Sequence, residues 1–325
     1  MVGISRFVAI KSESKDNMNR YSMIKLFLLA ILLLPTLLSA QNDPLNEDWL
    51  QKDKANFLNI MELVLSENSS IDDYKKKIEN LNIRNNQDIG FGAKRHDWVQ
   101  YGGYISTWIT LCSYKDTVFY CKLFVTSNDI EKLEILAQRD SSILMLLSRF
   151  WNKRNFNPAG ELNASLEFEY TNKEVYFRFK ESVKNELGEL ENISVDSGLA
   201  EDYQILLFPS ENYDFGYACY YAGNPPYGRI AIENIKETNP YLIKNILRGY
   251  NPEGRIYALE ALLQLAQEEQ LKLTSEDIET IKKVLTLDIP IGRCEGCMVS
   301  SILAKDLFSE KGYSSLLKKY DIVLE

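Results

Sequence analysis

The sequence predicts an α+β fold: an aromatic-rich antiparallel sheet packed on a helix, with helices before it and a small helical domain after it. Apolar residues recur every three or four positions in residues 44–81 and again in 251–285, which is a helical period. Between 98 and 237 they alternate along several short runs, and most of the aromatic residues lie in that same stretch, as strands prefer.

The chain opens on the pattern of an export signal. Residues 26–38 form an uncharged apolar run behind Arg20 and Lys25, and the small residues Ser39 and Ala40 follow it. A bilayer span needs about 20 apolar residues, whereas this run is shorter and carries Pro35. A cleaved signal peptide over about 18–40 is therefore expected, with no stable membrane span after cleavage. Met18 or Met23 would each begin a signal of more usual length. Leu37-Leu38-Ser39-Ala40-Gln41 resembles a bacterial signal cut before Gln, and no Cys follows the cut, so a lipoprotein is not expected. The expected location is periplasmic or extracellular.

The division expected is an upstream extension and signal over 1–40, a helical arm and loop over 41–97, an α+β domain over 98–237 and a helical domain over 238–325. In the arm, Trp49, Phe57, Ile60, Met61, Val64 and Leu65 mark one helix. A second short helix is expected over 71–81, and 82–97 reads as a polar loop.

In the middle segment, strands are expected at 103–113 and 118–126, then one amphipathic helix over 130–151. Next comes a hairpin. Residues 162–170 and 174–180 both alternate, and a turn at Asn172-Lys173 would set Phe168 opposite Phe177 and Glu167 opposite Arg178. Further strands are expected at 203–208 and 215–222.

The last segment is helical. Asn251 with Pro252 supplies a cap and a first helical position, and Ile256, Leu259, Leu262, Leu263 and Ala266 form the buried stripe. Thr274 caps the next helix, and a third is expected near Cys297. Asn251-Pro252-Glu253-Gly254-Arg255, with Ala258, Ala261, Leu262 and Leu263, resembles the first helix of a HEAT-type helical hairpin, over about residues 251–290. The resemblance implies a surface for binding and brings no catalytic residue with it.

Composition bounds the partners. The 325 residues are 45% apolar and 26% charged, an ordinary globular mixture, with a formal charge of −9. Residues 1–40 hold five of the 37 basic and two of the 46 acidic side chains, which leaves −12 on the rest. An acidic chain repels phosphate backbones, so nucleic acid is not an expected partner. Lys75, Lys76 and Lys77 follow Asp72 and Asp73 on a helix and read as a solvated face.

Five cysteines leave one unpaired in an exported chain. Cys294-Glu295-Gly296-Cys297 has three readings: a structural disulfide or inert thiols, a redox pair, or metal ligands. Cys112 and Cys121 sit on neighbouring strands and would face one another across a two-residue turn at Asp116-Thr117. Hydrophobic patterning instead prefers a three-residue loop of Lys115, Asp116 and Thr117, which puts them on opposite faces and disfavours that disulfide. Cys219, among tyrosines, reads as a small buried hydrophobe.

The one His, His96, must serve any Ser–His or Cys–His arrangement, and a structural or surface role is expected for it. Tyr213, Tyr217, Tyr220, Tyr221 and Tyr227 could form an aromatic surface for a ligand, or could fill the core. There is no nucleotide-binding loop or metal-ligand set, so no cofactor and no metal are expected.

The function expected is a non-catalytic binding or interaction protein of the bacterial cell envelope, with a glycan, a peptide or an envelope protein as partner. One alternative is a thiol-disulfide oxidoreductase using Cys294 and Cys297. Another is a secreted hydrolase built on a carboxylate site that spacing does not single out.

Overall fold

The computed structural model describes residues 45–66, 68–156, 163–211, 213–219, 223–310 and 314–322. The expected signal peptide and its cut, and Tyr220 and Tyr221, lie outside the described residues. The fold is α+β.

Helix α1 (Glu47–Leu65) starts where the Asn46 side chain accepts the Asp48 N–H, and it buries Phe57, Ile60, Met61 and Val64. Ser70 and Asp73 form a capping box that starts α2 (Ile71–Lys77). Six strands then build one antiparallel sheet in the order β1-β2-β3-β4-β6-β5. They are β1 (Leu81–Gly90), β2 (Ala93–Tyr101), β3 (Ser106–Tyr114), β4 (Thr117–Val125), β5 (Asn152–Phe156) and β6 (Asn163–Thr171).

The polar loop expected over 82–97 is instead β1 and the first half of β2, so the boundary expected at 97 falls inside a strand. β1 is an edge strand in which only Ile89 and Gly90 are buried, and its composition therefore matches that of a loop. The β3–β4 loop is also corrected. It is a two-residue turn of Lys115 and Asp116, with φ of 48° and 67°, and a bulge between Cys112 and Ser113 takes up the extra residue. Leu111 still faces Cys121 and Ile109 faces Leu123, as the apolar pattern requires.

The helix expected over 130–151 is two helices, α3 (Ser127–Arg139) and α4 (Ser141–Phe150), because Asp140 ends the first and caps the second. The hairpin expected after it has only one strand. β6 is present, but Asn172 accepts the N–H groups of Glu174 and Val175 and starts helix α5 (Lys173–Leu187). Val175, Phe179, Val183 and Leu187 are its buried face, while Phe177, expected opposite Phe168, is exposed.

Both sheet faces are covered. On one, Trp98, Ile109, Leu111, Leu123 and Phe168 pack with α1, α2, α3 and Ile143 of α4. On the other, Ala93, Cys112, Phe119 and Tyr120 pack with α5 and a helical layer of α6 (Ala200–Leu207), α7 (Tyr227–Thr238), α8 (Leu242–Leu247), α9 (Pro252–Gln267) and α10 (Ser275–Thr286). The Phe119 ring stacks on Tyr176 and Phe179 with centroids 5.4 and 5.2 Å away, which docks α5 on the sheet. Residues 203–208, expected as a strand, belong to α6. Of 215–222, expected as a strand, the described residues 215–219 form only the isolated bridges of Phe215 and Cys219, and 220–222 lie outside the described residues.

α9 is buried from its Asn251 cap to Leu263 and runs through the middle of the helical layer. Its main neighbours are α6, α7 and α8, whereas those of α10 are α5, α8 and the later α11 (Ala304–Ser309). The two therefore do not pack chiefly on one another as a HEAT-type hairpin would. The buried Arg255 of α9 donates to the carbonyls of Ile89 (3.1 Å) and Gly249 (3.2 Å), tying this layer to β1. Burial pulls its guanidinium down to about 10.

The helix expected near Cys297 is a hairpin of β7 (Pro290–Glu295) and β8 (Met298–Leu303), followed by α11 and α12 (Ser314–Lys318). Its two-residue turn is Gly296-Cys297, and Gly296 has the positive φ of 57° that the first position of such a turn demands.

Candidate functional site

The cysteines meet at this hairpin, in a pairing that the sequence did not indicate. Cys294 is bonded to Cys219, and Cys297 is a free, exposed thiol in the turn. The pair expected between Cys294 and Cys297 is thus corrected. In this hairpin Cys294 lies opposite Val299, and its side chain faces inward onto the segment that carries Cys219. Residues 215–219 run beside β7, with Phe215 N–H donating to Gly292 (2.6 Å), Cys294 N–H to Phe215 (2.9 Å) and Gly296 N–H to Ala218 (3.0 Å).

Both bonded cysteines are buried. A Cβ on Gly216 would come within 2.7 Å of the Cys294 sulfur and 3.0 Å of the Cys219 sulfur, so only glycine lets the backbone lie on the bridge. Cys112 and Cys121 are buried free thiols on opposite sheet faces, Cys112 opposite Tyr120 and Cys121 opposite Leu111, so no bond joins them. Burial pushes both thiols up, which keeps them protonated and inert.

The expected aromatic surface divides. Tyr213 is buried and donates to the Ile205 carbonyl (3.1 Å). Tyr217 and Tyr227 are 59% and 66% exposed. Beneath Tyr217 lies an arginine in an aromatic box: the Arg229 guanidinium carbon is 4.0 Å from the Tyr217 ring centre, 4.7 Å from that of Tyr257 and 5.5 Å from that of Phe215. Buried Glu260 neutralises it at 2.7 Å and also accepts the Tyr217 hydroxyl. The opposing pulls of burial, which lowers it, and of Glu260 leave Arg229 raised overall.

Sequence reasoning missed Arg229 and Glu260. A signal existed in Glu260, a single charge inside the apolar run from Ile256 to Leu263, which a buried helix keeps only when the charge is paired. Met298 and Val299, 71% and 56% exposed on β8, were also missed. Val299 lies opposite the bonded Cys294, and Tyr217 stands two positions before the bonded Cys219, so large exposed side chains flank the bridge.

His96 is paired inside the sheet. Its Nδ1 lies 2.8 Å from Asn86 Oδ1 and its Nε2 lies 3.2 Å from Ser113 Oγ. The partners resemble a nucleophile, base and orienting group, but Ser113 is 1% exposed, with its strand neighbours packed around it. Burial, with help from Lys75 and Lys94, pulls His96 down to about 4, so it is neutral at pH 7 and serves the interior as a hydrogen-bonding group.

Among the described residues no group of three or more His, Cys, Asp or Glu is placed to hold a metal ion. Among them, too, no helix is long and apolar enough to cross a membrane. No family model, no curated protein and no solved structure matches the chain.

Proposed function

We propose that the protein is an exported, non-catalytic interaction protein of the bacterial cell envelope, which meets its partner through the β7–β8 hairpin and the adjoining Tyr217. The observation that carries this reading is that exposed apolar side chains flank the buried Cys219–Cys294 bridge, with Tyr217 two positions before Cys219, Val299 opposite Cys294 and Met298 beside it in the hairpin. Large apolar groups held in water by a rigid scaffold are the feature of a contact surface.

Export is supported by the order of charge, apolar run and small residues within 18–40, and by a disulfide, which persists in oxidising compartments. A structural role for the cysteines is supported by the burial of both bonded sulfurs, since thiol-disulfide exchange needs an accessible sulfur. Cys297 then lacks the resolving partner that a Cys-x-x-Cys enzyme would use.

The test is a photo-crosslinking side chain at Val299, with a control at Lys272, an exposed position beyond the far end of α9. The reading expects a discrete adduct from Val299 in the producing cell and none from Lys272. Equal yields at both positions, or no adduct at either, would contradict it.

A further inference from the structure

We infer that β8 is the pairing edge for a second copy of this chain, the two strands running antiparallel about a two-fold axis at Ser300. This rests on the contact surface proposed above and names its partner.

The outer edge of β8 pairs with no strand among the described residues. Natural sheet edges are usually guarded by charge, proline or a covering element. β8 reads Met298-Val299-Ser300-Ser301-Ile302-Leu303, with no charge and no proline, and its first four residues are exposed. An unguarded edge of this composition fits one that is covered in the working state.

The direction of its backbone groups follows from the neighbouring strand. Gly292 C=O and Cys294 N–H are taken by Phe215 on the far side of β7. Arg293 and Glu295 therefore turn their groups toward β8 and pair with Ser300 and Met298. That leaves the N–H and C=O of Val299 and Ser301 directed outward.

Two antiparallel copies related by a two-fold must align residues of the same parity, because paired side chains share a face. Centring on Ser300 sets Val299 opposite Ser301 of the second copy, so their outward groups bond. It also sets Met298 opposite Ile302 and Cys297 opposite Leu303, apolar against apolar. No charged side chain of β8 opposes itself across the axis. This self-complementarity favours a second copy over an unrelated peptide.

The register has a further consequence. The two Ser300 residues form a non-hydrogen-bonded pair with Cα atoms about 4.5 Å apart, within reach of a disulfide if both were cysteine. The two Cys297 residues stand six positions apart along the ladder, about 20 Å, and cannot bond.

The test has two arms. Sedimentation equilibrium of the purified chain should show a monomer–dimer equilibrium in the micromolar range, and Ser301→Pro should weaken it at least tenfold with an unchanged circular dichroism spectrum. Proline there removes only an outward N–H. In the second arm, Ser300→Cys in a Cys297→Ser background should form a covalent dimer with oxidised glutathione as the two-electron acceptor.

A chain that stays monomeric at all concentrations, a dimer indifferent to Ser301→Pro, a Ser300→Cys variant that does not crosslink, or a wild-type dimer linked through Cys297 would each overturn the pairing. A monomer that still crosslinks from Val299 to a different protein in the cell would overturn the second copy alone and leave the contact surface standing.

Discussion

Arg229 and Glu260 form a buried ion pair, with Nη1 2.7 Å from Oε2, inside rings contributed by Phe215, Tyr217 and Tyr257. The pair joins α7 to α9 directly under the proposed contact surface. Removing one partner strands the other charge in an apolar setting, which costs about 3–5 kcal/mol. Glu260→Ala should lower unfolding stability by about that amount, and Arg229→Met with Glu260→Met together by much less. Urea denaturation of the three variants reads both.

The Cys219–Cys294 bond closes a sequence separation of 75 residues. Crosslinks over loops of this length stabilise by about 2–4 kcal/mol, mainly through the unfolded chain. Cys219→Ser should therefore lose about that much stability, and Cys297→Ser almost none, measured side by side in denaturant.

Asp277 predicts part of the acid response. Burial works to raise its carboxyl, but hydrogen bonds from Lys244 and from the Thr274 backbone and hydroxyl outweigh that and hold it below the usual carboxylate value. The folded chain thus binds this proton less readily than the unfolded one. The stability it contributes is complete above the ordinary carboxylate value and falls away as pH drops through the lower folded-state value. Asp277→Asn should flatten stability against pH below about pH 4.

His96 acts at higher pH. Its folded value of about 4 lies below the ordinary 6.5, so the unfolded chain takes up this proton first as pH falls. Stability from this group is complete above 6.5 and is lost between there and about 4, by roughly 3 kcal/mol in all. Because the chain has one His, the ring protons in an NMR titration report this site alone. A midpoint near 6.5 in the folded protein would refute the buried neutral ring.

The sequence was legible where one period dominated a long window. The buried Phe57, Ile60, Met61 and Val64 of α1, the caps at Asn251 and Thr274, and the facing of β3 on β4 through Leu111 and Cys121 all followed from spacing, whereas Trp49 and Leu65 of the same period are exposed. α5 was misread because Glu174 to Lys180 alternates over seven residues. The helical signal, Val175, Phe179, Val183 and Leu187, needs a window twice as long. Phe179→Ala should accordingly cost about 3–5 kcal/mol and Phe177→Ala little, by denaturation.

Of the site, exposure at Tyr217 and Tyr227 was compatible with the sequence, whereas the Cys219 partnership was not readable. A bond across that separation depends on residues 215–219 lying beside β7, which no local pattern encodes. β7 and β8 were missed because six-residue strands joined at Gly296-Cys297 resemble a helix start preceded by glycine.

The proposed function requires cysteines that brace a surface and do not turn over. The most direct measurement is peptide mapping of the native protein, with free thiols alkylated before unfolding and again after reduction. The expected result is a Cys219–Cys294 crosslink, Cys297 labelled in the first step, and Cys112 and Cys121 labelled only once the chain is unfolded. A peptide in which Cys294 is bonded to Cys297 would contradict it and return the redox reading to first place.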